Sequence, residues 1–212
     1  GGTQGQAPPP ASWFLFAVVA TVGACQSCAA NSLKIIWPFF VADSFGFASA
    51  EYGRLIFVSA CITGICVATL PMVEGRLGQF RTCFILCVGC GLAGVVGFLP
   101  LWGVMGTVGI LAHGGLVVTV LALLELGKSN VKSFAPLFVA KGQQGKGFGY
   151  VATVLRLGEI VAGFVAMELY EKNGGALSSV VAVSALLFCG AALLTALVPA
   201  SVKSASSSSE AK

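Results

Sequence analysis

The segment Gly145–Tyr170, GKGFGYVATVLRLGEIVAGFVAMELY, is an apolar run of helix length with one arginine and one glutamate sunk in its middle. At about 1.5 Å of rise per residue, Gly147–Tyr170 extends roughly 36 Å, enough to cross a hydrocarbon core of about 30 Å with some tilt. It reads as a transmembrane helix. Arg156 then lies roughly 13 Å and Glu159 roughly 18 Å along the axis, near the bilayer centre, where a charge costs on the order of 3 kcal/mol unless it is paired or wetted. Spaced three apart, the two share a face and can pair. Either the pair faces a water-filled path and serves transport or ion coupling, or it is an ion pair that only fixes packing. The first is the working expectation, because ionisable groups kept inside a membrane point to function by default.

The rest of the chain has the same character. Charged residues make up 9% of it and hydrophobic residues 57%, with a mean hydropathy of +0.93. A soluble domain carries about 25% charged residues, so this chain lacks the polar surface to live in water. It is expected to be an integral all-α membrane protein. Its 28 glycines suit helices that approach closely through small residues. The apolar runs are continuous and lack the two-residue alternation of outer-membrane strands, which argues against a barrel.

Eight cysteines raise disulfide and metal chemistry without supporting either. Cys61, Cys66, Cys83, Cys87, Cys90 and Cys189 lie inside apolar runs, where cysteine behaves as a small hydrophobe. Cys25 and Cys28 have redox spacing but no βαβ context, and Cys83, Cys87 and Cys90 share a helical face with no nearby histidine or carboxylate to complete a tetrahedral set. No metal or cofactor is expected.

Six apolar runs can be delimited between residues 12 and 199. Residues 1–11, ending in a proline run, read as a flexible linker without the charged start of a signal peptide, and they lead us to expect a preceding segment. The first run, Ser12–Val41, sets Gly23, Ser27, Asn31 and Lys34 on one small or polar face. Lys34 either snorkels to the far boundary or lines a cavity, and Pro38 is expected to bend or end the helix. Ser49 is an N-cap candidate and Glu51 an acid in the first turn of the second run, which reaches Val73 and offers Gly53, Ser59, Thr63 and Gly64 as packing positions. A tight basic connection through Arg81 follows. The third run is Thr82–Leu101, closed by Pro100-Leu101-Trp102-Gly103, and the fourth begins near Val104 and contains the lone His113. Glu125, Lys128 and Lys132 form a single stripe if the fourth helix continues to about Ala140; the reading taken here is a stop or kink near Gly127. After the fifth run, Asn173-Gly174-Gly175 makes a turn, the sixth run is Ala176–Val198, and residues 200–212 form a serine-rich tail expected to be disordered.

Six spans put both termini on one side of the bilayer. That side would hold Arg76, Arg81, Lys128, Lys132, Lys141, Lys146, Lys203 and Lys212, against Arg54, Lys172 and Lys34 at the other. The positive-inside rule then predicts cytoplasmic termini.

Three stretches give the chain a family likeness. Phe45-Gly46-Phe47-Ala48-Ser49-Ala50-Glu51-Tyr52-Gly53 resembles the connection into the second helix of a major facilitator superfamily half. Gly75-Arg76-Leu77-Gly78 with Arg81 is similar to the degenerate second-half form of that superfamily's cytoplasmic loop; its aspartate is missing, and Glu74 stands nearby. Gln144-Gly145-Lys146-Gly147-Phe148-Gly149, Leu157-Gly158 and Met167-Glu168-Leu169-Tyr170 follow the penultimate-helix pattern of drug and tetracycline proton antiporters, with Ala162-Gly163 where those carry glycine-proline. The likeness covers Ser12–Pro199 and points to the carboxy-terminal half of twelve helices. It implies two inverted three-helix repeats that rock against a second six-helix half around a central cavity. It makes Asn31, Lys34 and His113 candidates for substrate or proton binding beside Arg156 and Glu159, and Gly75, Arg76, Gly78 and Arg81 candidates for a cytoplasmic gating loop. His113 is equally readable as a buried, hydrogen-bonded histidine, and Arg76 and Arg81 as positive-inside anchors. The implied partners are the lipid bilayer, the second half, a small-molecule solute and a coupling proton; nothing suggests nucleic acid.

An enzyme is not expected. The serine motif of a rhomboid-type protease is missing, and Gln143-Gln144-Gly145-Lys146-Gly147 lacks the leading glycine, the hydroxyl residue and the βαβ setting of a phosphate loop. The rival to transport is a non-transporting assembly subunit derived from such a half, in which the pair in the fifth helix only holds packing.

Overall fold

The structure, a computed structural model, describes residues 13–97, 106–134, 138–139, 142–174 and 178–198. Those residues form six helices: α1 (Trp13–Phe45), α2 (Ser49–Leu77), α3 (Gln79–Gly97), α4 (Gly106–Phe134), α5 (Gln144–Lys172) and α6 (Ser178–Leu197). No strand occurs among the described residues. Five of the helices, all but α3, are long and apolar enough to cross a membrane by length and composition. The expected sixth span falls short in this sense, since the apolar stretch of α3 among described residues is Gln79–Ala93. A chain with five such helices is a multi-pass integral membrane protein. The expected linker, the closing turn at Pro100–Gly103 and the serine-rich tail lie outside the described residues.

Several boundaries differ from expectation for physical reasons. α1 runs through Pro38 to Phe45. A spanning helix tolerates a proline where neighbouring helices support it, and the residues flanking this one, Ile36, Trp37 and Val41, are packed into the core. The helix ends instead at Phe45: the Gly46 N–H still bonds the carbonyl of Ala42 at 3.0 Å, and its φ of +66° turns the following chain out of the helix. Ser49 opens α2 as its first residue; the cap position is Ala48, with no side-chain capping bond. α4 neither stops nor breaks at Gly127 but continues to Phe134. Glu125 and Lys128 of its stripe are held by Lys34 of α1 and Glu159 of α5, so these charges extend the helix within the bundle and do not lead it out.

α1 is the centre of the bundle and packs on α4, α5 and α6. Cross-helix pairs fix the directions. Lys34 meets Glu125 while Trp37 meets His113, so α4 runs antiparallel to α1. Asn31 meets Glu159 and Asp43 meets Tyr170, so α5 runs parallel to it. Ser59 with Val118 and Glu74 with Asn130 set α2 parallel to α4. Glycine permits the tightest of these seams: a Cβ on Gly158 would sit 3.0 Å from the Ala24 carbonyl oxygen, and one on Gly23 would sit 2.9 Å from Leu155 and from Val131. Of the small positions expected to serve packing in α2, Ser59 is buried, whereas Gly53 and Gly64 have nothing within 4 Å of a would-be Cβ.

The helix pairings have an internal order. The principal contacts are α1 with α4, α5 and α6, α2 with α4, α3 with α4 and α6, and lesser ones of α1 with α2, α2 with α3, α4 with α5, and α5 with α6. Exchanging α1 with α4, α2 with α5 and α3 with α6 returns the same set, while α1 and α4 point in opposite directions.

Two apolar cores lie along α1. One joins Leu33, Ile36, Trp37 and Val41 to Leu124, Tyr170 and Phe188; the other joins Val19 and Val22 to Val131, Val151 and Leu155. On α4 the charged residues Glu125 and Lys128 come between Leu124 of the first core and Val131 of the second, and on α5 Arg156 and Glu159 come between Leu155 and Ala166.

Candidate functional site

Between α1, α4 and α5 lies a cavity of about 420 Å³. α1 contributes Asn31 and Lys34, and α4 contributes Glu125, Lys128 and Lys132. α5 contributes Arg156 and Glu159, with Phe148, Ala152 and Leu155 forming its apolar wall. Helical spacing makes this assembly possible: residues three or four apart on each helix share a face, and the three faces converge.

The charges form a chain of alternating sign. Lys34 pairs with Glu125; Glu125 lies 3.5 Å from Lys128; Lys128 donates to Glu159 Oε1 at 2.9 Å; and Arg156 Nη1 donates to Glu159 Oε2 at 2.7 Å. Lys128 is the hub, joining the two carboxylates with only 10% of its side chain exposed. Arg156 is the open end, with 79% of its side chain exposed. Asn31 donates to the Glu159 backbone carbonyl at 2.7 Å and so ties the centre of α5 to α1 beside the Gly158 crossing. Lys132 lines the same cavity and makes no ion pair among the described residues.

Of the residues singled out from sequence, Asn31, Lys34, Arg156 and Glu159 come together here. Lys34 lines the cavity, which decides between the two placements its position left open. His113 goes elsewhere. It is buried under Trp37, whose indole N–H donates to its Nε2 at 2.9 Å, and the rings of Phe40 and Phe45 stand 5.5 and 5.0 Å away between centroids. Its position does not border the cavity. Glu125, Lys128 and Lys132 are the site residues that sequence reasoning passed over. Their three-and-four spacing is the signal in the sequence, and it forms one stripe only because α4 continues past Gly127.

The α2–α3 connection forms a separate polar cluster. Gly78 alone separates the two helices; its φ of +81° allows the turn, and its N–H bonds the Glu74 carbonyl at 2.7 Å. The Glu74 side chain is buried, accepting from Asn130 Nδ2 at 2.6 Å and from Ser133 Oγ at 3.3 Å on α4. Glu74 thus clamps the loop onto the end of α4. Gly75, Arg76 and Arg81 are not drawn into this cluster: both arginines are exposed and make no ion pair among the described residues, and a Cβ on Gly75 would have nothing within 4 Å.

The cysteines are all free. Cys87 and Cys83 are buried and face the Gln26 amide nitrogen at 2.8 and 3.7 Å. No three His, Cys, Asp or Glu side chains converge as metal ligands among the described residues.

No family model, no curated protein and no solved structure matches the chain.

Proposed function

We propose that this chain is one half of a secondary transporter of the major facilitator type, and that the α1–α4–α5 cavity is its share of the solute pathway. The observation that carries this reading is the five-membered chain of charges from Lys34 to Arg156, held open into a cavity at the middle of helices long enough to span a bilayer. Bare charges at that depth cost several kcal/mol each unless water or counter-charge reaches them. A device that only fixed packing within this bundle would bury every member between its helices, whereas 79% of the Arg156 side chain lies outside the packed interior.

The exchange of helices described above supports two inverted three-helix repeats, in which α1 and α4 are equivalent and meet along the cavity. α2 and α5, equivalent under the same exchange, are the least buried of the five spanning helices and are where a second six-helix half would pack. Alternating access then consists of the two halves rocking about the cavity. A proton or solute that neutralises or displaces one member of the chain changes the pairing of the next, which gives coupling a physical route. In the α2–α3 connection, Glu74 fastens the loop internally, leaving Arg76 and Arg81 free to meet the partner half in the manner of a gating loop. Cytoplasmic termini remain the proposed orientation. With Lys34, Lys128 and Lys132 removed from the loop tally as cavity charges, Arg76, Arg81, Lys141, Lys146, Lys203 and Lys212 still outweigh Arg54 and Lys172.

The test is uptake into proteoliposomes by the complete protein with its second half, screened against a solute panel under an imposed pH gradient. Loss of flux in both Glu159→Gln and Arg156→Leu, with folding retained, is the expected result. Unchanged flux in both, or a complex that purifies without any second half, would return the chain to the role of an assembly subunit.

A further inference from the structure

The charges of the cavity do not cancel. Lys34, Lys128, Lys132 and Arg156 face Glu125 and Glu159, an excess of two positive charges in a space of about 420 Å³. Both carboxylates are already engaged, each by two cations. The excess is localised. Arg156 commits Nη1 to Glu159 and leaves the rest of its guanidinium fork exposed, while Lys132 has no acidic partner among the described residues. A volume of this size is typical of a small-molecule pocket, and a guanidinium fork and an ammonium group lining one cavity suit an oxyanion, which can accept two donors from arginine and a third from lysine. Phe148, half exposed on the same wall, offers an apolar surface for the remainder of the molecule.

We infer that the solute bound here is a small organic anion, recognised through a carboxylate or phosphate oxyanion held between Arg156 and Lys132. The Lys34–Glu125–Lys128–Glu159 chain keeps its own balance and holds these two groups in place; the anion supplies the charge they lack. The inference rests on the cavity being the solute site of the proposed transporter, and it names the class of solute. A phospholipid headgroup offers the same oxyanion from the bilayer side, so the test separates the two sources.

The complete protein is purified in an uncharged detergent and its thermal unfolding followed against succinate and inorganic phosphate at fixed ionic strength, with tetraphenylphosphonium as the cationic control. Saturable stabilisation by succinate or phosphate is expected. The affinity should fall roughly tenfold or more in Lys132→Gln and in Arg156→Gln and stay unchanged in Lys172→Gln, whose side chain pairs with Glu168 away from the cavity. Lys132→Gln breaks no ion pair, so it remains informative if Arg156→Gln does not fold. Stabilisation by neither anion, equal affinity in the variants, or preferential binding of tetraphenylphosphonium overturns the inference. So does stabilisation by phosphatidylglycerol nanodiscs alone, which would assign the excess charge to a lipid headgroup. Flux that depends on Glu159 without anion binding would remove the anion while leaving the transport reading intact. Anion binding with flux indifferent to Glu159 would do the reverse.

Discussion

The seam between α1 and α4 is polar at two places, and they differ in almost everything but their helices. At the His113 end, one imidazole and one indole bond each other beside the rings of Phe40 and Phe45, away from the α1–α4–α5 cavity. Three residues away along α1 and twelve along α4, Lys34, Glu125 and Lys128 join Arg156 and Glu159 of α5 around open space. The first place joins one ring donor to one ring acceptor and holds no ion pair among the described residues. At the second, a charge excess and an exposed guanidinium remain after every carboxylate is engaged. A polar residue within a spanning helix therefore points to function by the charge and open space left around it more than by its presence.

This contrast can be broken most forcefully at Lys128. Lys128→Met removes the bridge between two carboxylates, each of which keeps its other cation, and is expected to cost about 3 kcal/mol for the two contacts to charged groups that are lost, and to abolish uptake. The drop would register as a lower unfolding temperature of the purified protein, and a fully stable, active variant would show that the charged region is no more coupled than the dry one. Gly158→Val should cost less, about 1–3 kcal/mol of overpacking, because its Cβ would meet the Ala24 backbone at 3.0 Å. Being a wedge between α1 and α5, it should impair uptake while leaving the environment of Trp37 intact, which Trp fluorescence can follow. His113→Leu takes the acceptor from the buried Trp37 indole N–H, a cost of about 1–2 kcal/mol, and should leave the pH profile of uptake unaltered. A shifted profile at retained stability would move His113 into the pathway. Least of all, Gly64→Ala should change the unfolding temperature by the equivalent of under about 1 kcal/mol, in the stabilising direction, since nothing lies within 4 Å of its would-be Cβ.

Much of this arrangement was legible in the residues. Continuous apolar runs gave the helices nearly to their ends, because length and apolarity alone decide what a bilayer accepts. The pair Arg156 and Glu159 announced itself by its depth, and the face of Gly23, Ser27, Asn31 and Lys34 by its periodicity. What a single helix cannot display is the partner across a seam. Lys128 looked like a loop charge because its counter-ion, Glu159, is 31 positions away, and His113 looked titratable because Trp37 is 76 positions away. Pro38 and Gly127 are breakers by local rule, yet tertiary partners on both sides carry the helix through each of them. The burial of Glu74 was equally hidden, since Asn130 reaches it from another helix.

The central claim is that the α1–α4–α5 cavity holds water within the membrane while the His113 cluster does not. It is tested most directly by placing a cysteine at Ala152 on the cavity wall and another at His113, then treating the complete protein in sealed vesicles with a membrane-impermeant sulfonated maleimide. Site-by-site mass spectrometry keeps the eight native cysteines apart from the new one. Modification at position 152 with none at position 113 is the predicted result. A cysteine at 152 that stays unmodified from either side of the membrane, or one modified no faster than the cysteine at 113, would contradict the account.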